Sequence, residues 1–456
     1  MSLKHLIAKD KQNIWHPFTQ MADWLKDDPC KPLIIEKAKG NYLYDTNSNK
    51  YIDGVSSLWV NNLGHQNPKI DKAIKNQLSK VAHTTFLGLT HKPAIELSEK
   101  LLKILPKHFK KIFYSDNGST AVEVALKMAY QYWQFKGENK SSFLSFKNAY
   151  HGDTVGAVSV GGTDLFHKRF KALLFKAHFA PSPFCKECPR KKISNLPFFV
   201  KAKTFKEHCK IVDCKGECLK EAEKLLKQNT KTLAAAIIEP EIQAASGMII
   251  MPAGFVKEFA TLCKKYGVLL ICDEVATGFG RTGKMFAIEL SGIKPDFICL
   301  SKGITGGYLP LAVTATTNEI YNAFLGKYEE FKTFFHGHSY TANPLACAAA
   351  NAVIDIFKKD KILKKLTPTI KFLRNELANL AKHNKVETIR HLGVMAAIDI
   401  ISVDQKIGAT ICANMRKDGI IIRNLSKSLI LFLPLTITKA EIKKIISSIR
   451  KNLNTL

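Results

Sequence analysis

The chain has 456 residues, of which 46% are hydrophobic and 23% charged, and carries a formal net charge of +29 at pH 7. Such a length buries large cores and calls for two domains, or one large domain with a satellite, and the balance excludes a disordered or fibrous chain. The charge raises nucleic acid or an anionic surface as a partner, but the lysines are scattered along the chain and no helix-turn-helix, zinc-finger or RNA-binding signature accompanies them.

Neither nucleic acid nor membrane is therefore expected as a partner. A basic nucleic-acid-binding protein with a Cys-rich module is the competing reading outside the enzymes. No apolar run reaches the roughly 18 residues needed to span a bilayer. The start, MSLKHLIAKDKQN, lacks the apolar core and small-residue cleavage site of a signal peptide. Eleven cysteines without an export signal read as reduced thiols, and a cytoplasmic location is expected.

In chain order, residues 10–21 (DKQNIWHPFTQM) form an aromatic segment without periodicity, read as a packed arm. Residues 42–45 and 51–53 read as strands around an Asn-Ser-Asn turn, a hairpin. Residues 68–81 read as an amphipathic helix. In YSDNGSTAVEVALKMAYQYW, Asp116 or Asn117 caps a helix whose Ala121, Val124, Ala125, Met128, Ala129 and Tyr132 recur at helical spacing. Gly118 and Ser119 then sit at its amino end, where unsatisfied N–H groups favour a phosphate, although the pair alone is ordinary for a cap. The apolar run 142–146 is followed by KNAYHGDTVGA, where His151 and Asp153 are too few for a metal site and instead orient Tyr150 and its loop.

Residues 181–218 hold Cys185 and Cys188 in a C-x2-C pair, then His208, Cys209, Cys214 and Cys218. A structural metal or iron–sulfur cluster and free thiols on an insertion both stay open, and no metal is assigned to the chemistry. Beyond it come a helix at 217–228, a buried strand at 233–238 ending in Glu239-Pro240, and a helix at 252–266.

Residues 267–307 organise the rest. Two runs, 268–272 and 296–300, are too short for a globular helix and rich enough in Val, Ile and Leu for buried strands. The first delivers Asp273 at its carboxyl end and the second Lys302, and ligands of open α/β sheets sit beyond such ends. A lysine of depressed pKa forms a Schiff base with a carbonyl cofactor. A carboxylate facing a pyridine nitrogen keeps it protonated, so that the ring acts as an electron sink. Together the two describe pyridoxal 5'-phosphate held by Lys302 and tuned by Asp273. The plainer alternative is a helix-capping Asp and a solvated Lys.

DEVATGFGRTG followed by PDFICLSKGITGG resembles the signature of the class III (ω-amino acid type) pyridoxal-phosphate-dependent aminotransferases. The similarity runs from about residue 14 to the end and covers residues 181–218 poorly. It implies an α/β protein of fold type I, with a large, mostly parallel sheet domain and a smaller α+β domain from both chain ends. The expected division is 1–65 as an N-terminal segment, 66–340 as the cofactor domain with the Cys-rich insertion, and 341–456 as a linking helix opened by Asn343-Pro344 plus the C-terminal part.

The resemblance also implies roles. Lys302, Asp273 and Tyr150 are the catalytic residues, Tyr150 stacking on the cofactor ring. Gly118 and Ser119 hold the phosphate, and His338 and Ser339 of FFHGHSYTANP reach the phosphate of the other subunit, so a homodimer with shared active sites follows. Phe18, Leu58, Trp59, Tyr150, Arg281, Lys302 and Gly337 line the substrate, and Glu239 and Gln243 lie near the cofactor's ring oxygen or the loop of Arg281. Arg423, read as lying between the two strands of GIIIRNLSKSLILFLPLTIT, captures a carboxylate. Phe18, Leu58 and His338 depart from the family's usual tyrosine, tryptophan and proline. The implied reaction is transamination of 8-amino-7-oxononanoate to 7,8-diaminononanoate in biotin synthesis, with S-adenosylmethionine or lysine as amino donor. Transamination between an ω-amino acid and pyruvate is the alternative.

Overall fold

The computed structural model describes residues 1–188 and 202–456. Contacts divide the chain into two compact units: residues 68–365 with 390–393, and residues 1–67 with 366–389 and 394–456. No helix among the described residues is long and apolar enough to cross a membrane.

The larger unit is built on a seven-stranded sheet in the order Phe109–Ser115, Ala312–Thr317, Phe297–Leu300, Leu269–Asp273, Leu233–Ile238, Ser142–Phe146, His178–Ala180. Only Ala312–Thr317 opposes the others, pairing antiparallel with both neighbours. The central strands are buried on both faces, as a sheet covered on two sides requires, and this is why they read as unbroken apolar runs. The helix Gly118–Phe135 lays Ala121, Val122, Ala125, Leu126 and Ala129 against Ala235, Ile237, Ile271, Phe297 and Ala312. Small side chains on both surfaces let helix and sheet approach closely, and Thr314 Oγ1 donates to the Ala121 carbonyl at 2.8 Å. Asn117 rather than Asp116 is the cap, in a reciprocal pair with Thr120.

The helix Pro344–Lys359, capped by Asn343, belongs to this unit. It packs along Pro68–Leu78 and Lys92–Ile104, so residues 341–365 group with the cofactor-domain segment rather than with the C-terminal one.

In the smaller unit, Ile35–Lys39, Tyr42–Asp45 and Lys50–Asp53 form an antiparallel meander, joined in parallel by Ile420–Ile421. Met395–Ile400, Ser428–Phe432 and Arg423–Leu425 form a second, antiparallel sheet. Arg423 opens the third of these strands, opposite Ile430, instead of lying in a connection. Residues 3–13 are helical, so the expected arm begins only at Ile14, with Trp15 88% exposed.

After Asp53 the backbone does something that the sequence does not announce. Ser56, Ser57, Leu58 and Trp59 take φ values of 50°, 47°, 63° and 74°, one turn of left-handed helix without a glycine. Each such residue costs about 1–2 kcal/mol through the approach of Cβ to the carbonyl oxygen. Trp59 N–H donates to Val55 O at 2.8 Å and Val60 N–H to Ser56 O at 2.9 Å, closing the turn.

Candidate active site

Five loops meet the carboxyl edge of the larger sheet, and each brings one of the polar groups singled out above. Leu269–Asp273 ends on Asp273, which is buried. Its Oδ1 accepts from Val275 N–H at 3.0 Å and its Oδ2 from His151 Nδ1–H at 2.8 Å. The imidazole is wholly enclosed. His151 was expected only to orient Tyr150; its ring lies instead on the Asp273 carboxylate, a contact between residues 122 apart in sequence.

Phe297–Leu300 ends one residue before Ser301, whose hydroxyl is tied to Leu311 O at 2.9 Å. Lys302 follows with φ 47° and opens a short 3₁₀ turn closed by Gly306. Burial pushes the Lys302 amine below the usual lysine range, and Arg281 adds to that shift, while the carboxylates of Asp273 and Glu239 work against it. The half-buried Lys302 amine thus gives up its proton more readily than a free lysine while it is still attracted to two acids.

Glu239, at the end of Leu233–Ile238, accepts from Tyr150 N–H at 3.1 Å and from Ala244 N–H at 3.0 Å. Burial, helped by the Asp273 charge, pushes its carboxyl up to about 7 against the pull of His151 and the two amides. It fixes the backbone of Tyr150, whose hydroxyl donates to Asp153 Oδ2 at 2.7 Å and is raised well above the phenol range, first by burial and then by Asp153. Gln243 is committed elsewhere, to Ser182 and the Lys147 carbonyl.

At the start of the helix Gly118–Phe135, the cap uses the Thr120 amide, and Ser119 Oγ accepts from Asp153 N–H at 3.1 Å. A Cβ on Gly118 would stand 2.5 Å from Val275 Cγ1, and one on Gly152 (φ 124°) 2.0 Å from Ser119 Oγ. The two glycines let three loops close on one another around the helix N-terminus. Arg281 is buried in the loop after Asp273. Gly337 and Ser339 are exposed, on a turn held by Thr341 Oγ1 donating to His338 O at 2.8 Å.

The remaining expected substrate residues belong to the smaller unit. Phe18 is 65% exposed and Leu58 53% exposed. Trp59 is buried, its indole stacked on Phe432 at 4.9 Å, so Leu58 is the residue of that pair presented outward. Arg423 is half-buried.

The cysteines at 185, 188, 209, 214 and 218 are free thiols, and Cys185 Sγ lies 3.5 Å from His208 Nε2. Burial pushes the Cys185 and Cys209 thiols up to about 12. Among the described residues, no three His, Cys, Asp or Glu side chains are grouped so as to hold a metal ion.

Comparison with known proteins identifies the family. The model of the family "Aminotransferase class-III" matches residues 26–453. Adenosylmethionine-8-amino-7-oxononanoate aminotransferase of Geobacter sulfurreducens is 42% identical, over 98% of this chain and 97% of its own. The protein of the same name from Aquifex aeolicus is 45% identical, over 98% and 96%. The crystal structure of that aminotransferase from Methanocaldococcus jannaschii superposes with a TM-score of 0.90 at 41% identity, covering 100% of this chain and 99% of the other. An (S)-enantioselective ω-transaminase from Thermomicrobium roseum superposes at 0.89 with 28% identity over 100% and 99%. Pyridoxal phosphate is the cofactor of this group, and an acid and a lysine at adjacent strand ends suit it. The chain belongs to the class-III aminotransferases.

Proposed function

We propose that this protein transfers an amino group to the 7-keto carbon of 8-amino-7-oxononanoate, giving 7,8-diaminononanoate for biotin synthesis, with S-adenosylmethionine as donor. The observation that carries the reading is whole-length identity of 40–45% to relatives that bear this activity in their name. When bound, pyridoxal phosphate supplies an aldehyde that takes the amino group and a ring that accepts electron density.

The chain's own residues supply the rest. Lys302 Nζ, whose pKa burial lowers, would hold the cofactor's aldehyde and would be the group at hand to take the proton from the donor's Cα. Asp273, whose carboxylate His151 holds at 2.8 Å, would keep the ring nitrogen protonated. Tyr150, pinned by Glu239 and Asp153, would cover the ring. Gly118 and Ser119 take the phosphate at the helix N-terminus. What supports the fit is the close packing at Gly118 and Gly152, where a Cβ would stand 2.5 Å from Val275 Cγ1 and 2.0 Å from Ser119 Oγ, so that only glycine lets these loops meet at the helix start. Phe18, Leu58, Arg281, Gly337 and Arg423 serve the substrate, with Trp59 backing Leu58 from the interior. His338 and Ser339 serve the neighbouring subunit of a cytoplasmic homodimer.

Purified, cofactor-loaded protein given 8-amino-7-oxononanoate with S-adenosylmethionine, lysine or alanine tests this, the diamine being read by mass spectrometry. S-adenosylmethionine is expected to support turnover. Product with lysine alone replaces the donor. No diamine with any donor, together with amination of pyruvate, replaces the reaction. Lys302→Ala is expected to abolish turnover and the borohydride-fixed pyridoxyl adduct; turnover in that variant refutes the role of the lysine.

A further inference from the structure

The left-handed turn at residues 56–59 is overdetermined by its surroundings. Asp53, with no exposed surface, ends the strand Lys50–Asp53, opposite Ile421. Its Oδ1 accepts from Ser57 N–H at 2.9 Å and its Oδ2 from Ser57 Oγ–H at 2.7 Å. His65 Nε2 stands 3.0 Å from the same Oδ2, and the His65 backbone is paired both ways with Gly40. Ser56 Oγ donates to Phe432 O at 2.6 Å, and Trp59 stacks on the Phe432 ring.

Four consecutive non-glycine residues in this region are rare, and such strain persists where surrounding structure enforces it, commonly at ligand sites. Glycine would relieve the turn at any of the four positions. The sequence keeps instead a serine that binds Asp53 and a leucine that faces out. Buried Asp53 has its carboxyl held below the usual range despite its burial, because His65 and both Ser57 donors favour the carboxylate.

We propose that Asp53 is a positioning residue for substrate specificity: braced by His65, it locks residues 56–59 left-handed and thereby sets Leu58 as the apolar surface that receives the aliphatic chain of the keto acid. This rests on the function proposed above and adds to it the device that holds the specificity residue in place. Asp53 touches neither substrate nor cofactor; it acts through Ser57.

Steady-state kinetics with the cofactor-loaded enzyme test this. Asp53→Ala is expected to raise KM for 8-amino-7-oxononanoate about tenfold or more, with kcat within about threefold of the parent and cofactor content unchanged. Adding Ser57→Gly, which makes a left-handed φ natural without Asp53, is expected to return KM to within about threefold of the parent. The crystal structure of Asp53→Ala is expected to have residues 56–59 outside the left-handed region. An unchanged KM, a KM that glycine does not restore, or an intact left-handed turn in Asp53→Ala overturns the proposal. Should Asp53→Ala not fold, Ser57→Ala removes one of the two bonds and is expected to raise KM about threefold, an unchanged KM again overturning it. If the parent does not turn over the keto acid, the functional reading fails, while the crystal structure still judges the role of Asp53.

Discussion

Glu274, the residue after Asp273, offers a stability test of the loop that carries Arg281. It has no exposed surface, and its carboxylate gathers three donors: Thr277 Oγ1 and Ala287 N–H on Oε2 and Ile288 N–H on Oε1, each at 2.8 Å. The two amides open the short helix Ile288–Ser291, so the side chain closes the loop back on the strand it left. Glu274→Ala strands both amides in a dry interior, at about 1–3 kcal/mol each, or about 2–6 kcal/mol together. For a unit of this size, roughly 2 °C of melting temperature accompanies each kcal/mol, so a fall of about 4–12 °C is expected at pH 8. Glu274→Gln replaces one oxygen with a second donor and strands one amide, so about half the loss is expected. Differential scanning calorimetry reads the shift, and hydrogen exchange of residues 277–288 locates it. A fall below about 1 °C in Glu274→Ala with unchanged exchange refutes the reasoning.

Three further outcomes follow from the site. His151→Phe keeps the volume but removes the donor on Asp273, a hydrogen bond to a charged group; kcat is expected to fall about 10–100-fold with substrate KM nearly constant, and a parental kcat in stopped assays refutes this. Gly152→Ala forces a methyl to within 2.0 Å of Ser119 Oγ at a φ of 124°, and cofactor affinity measured by absorbance titration is expected to weaken at least about tenfold. Glu239, Glu241 and Glu274 are each pushed up to about 7 by burial. Between about pH 4.5 and 7 these three groups hold protons in the folded chain that they have released in the unfolded one, so their own contribution to stability declines as pH rises through that window. The denaturant midpoint of Glu274→Gln relative to the parent is therefore expected to rise from pH 5 to pH 8, and a difference independent of pH refutes this.

How much was legible in advance depended on the range of the interaction involved. The strands Ser142–Phe146 and Leu233–Ile238 have the expected ends because their apolar runs are continuous and bounded by polar residues. Asp273 and Lys302 stand at strand ends as their spacing suggested, since strand register alone puts them there. Asn117 was separable from Asp116 only by the reciprocal bond to Thr120. The His151–Asp273 contact was hidden because it joins two strand ends through tertiary pairing; a histidine directly after Tyr150 was the only local sign. The left-handed turn had no local sign either, since Ser-Ser-Leu-Trp carries none of the glycine or asparagine that marks such backbone.

The one reversed strand in the large sheet has an entropic corollary. Because Ala312–Thr317 runs back beside Phe297–Leu300, the lysine lies in a hairpin whose two arms are neighbours in sequence, unlike the long crossovers that bring the other loops to this edge. Closing a short hairpin costs little chain entropy. The loop of Lys302 is thus closed by residues 301–311 alone, at a lower chain-entropy cost than the loops whose strands are joined by crossovers.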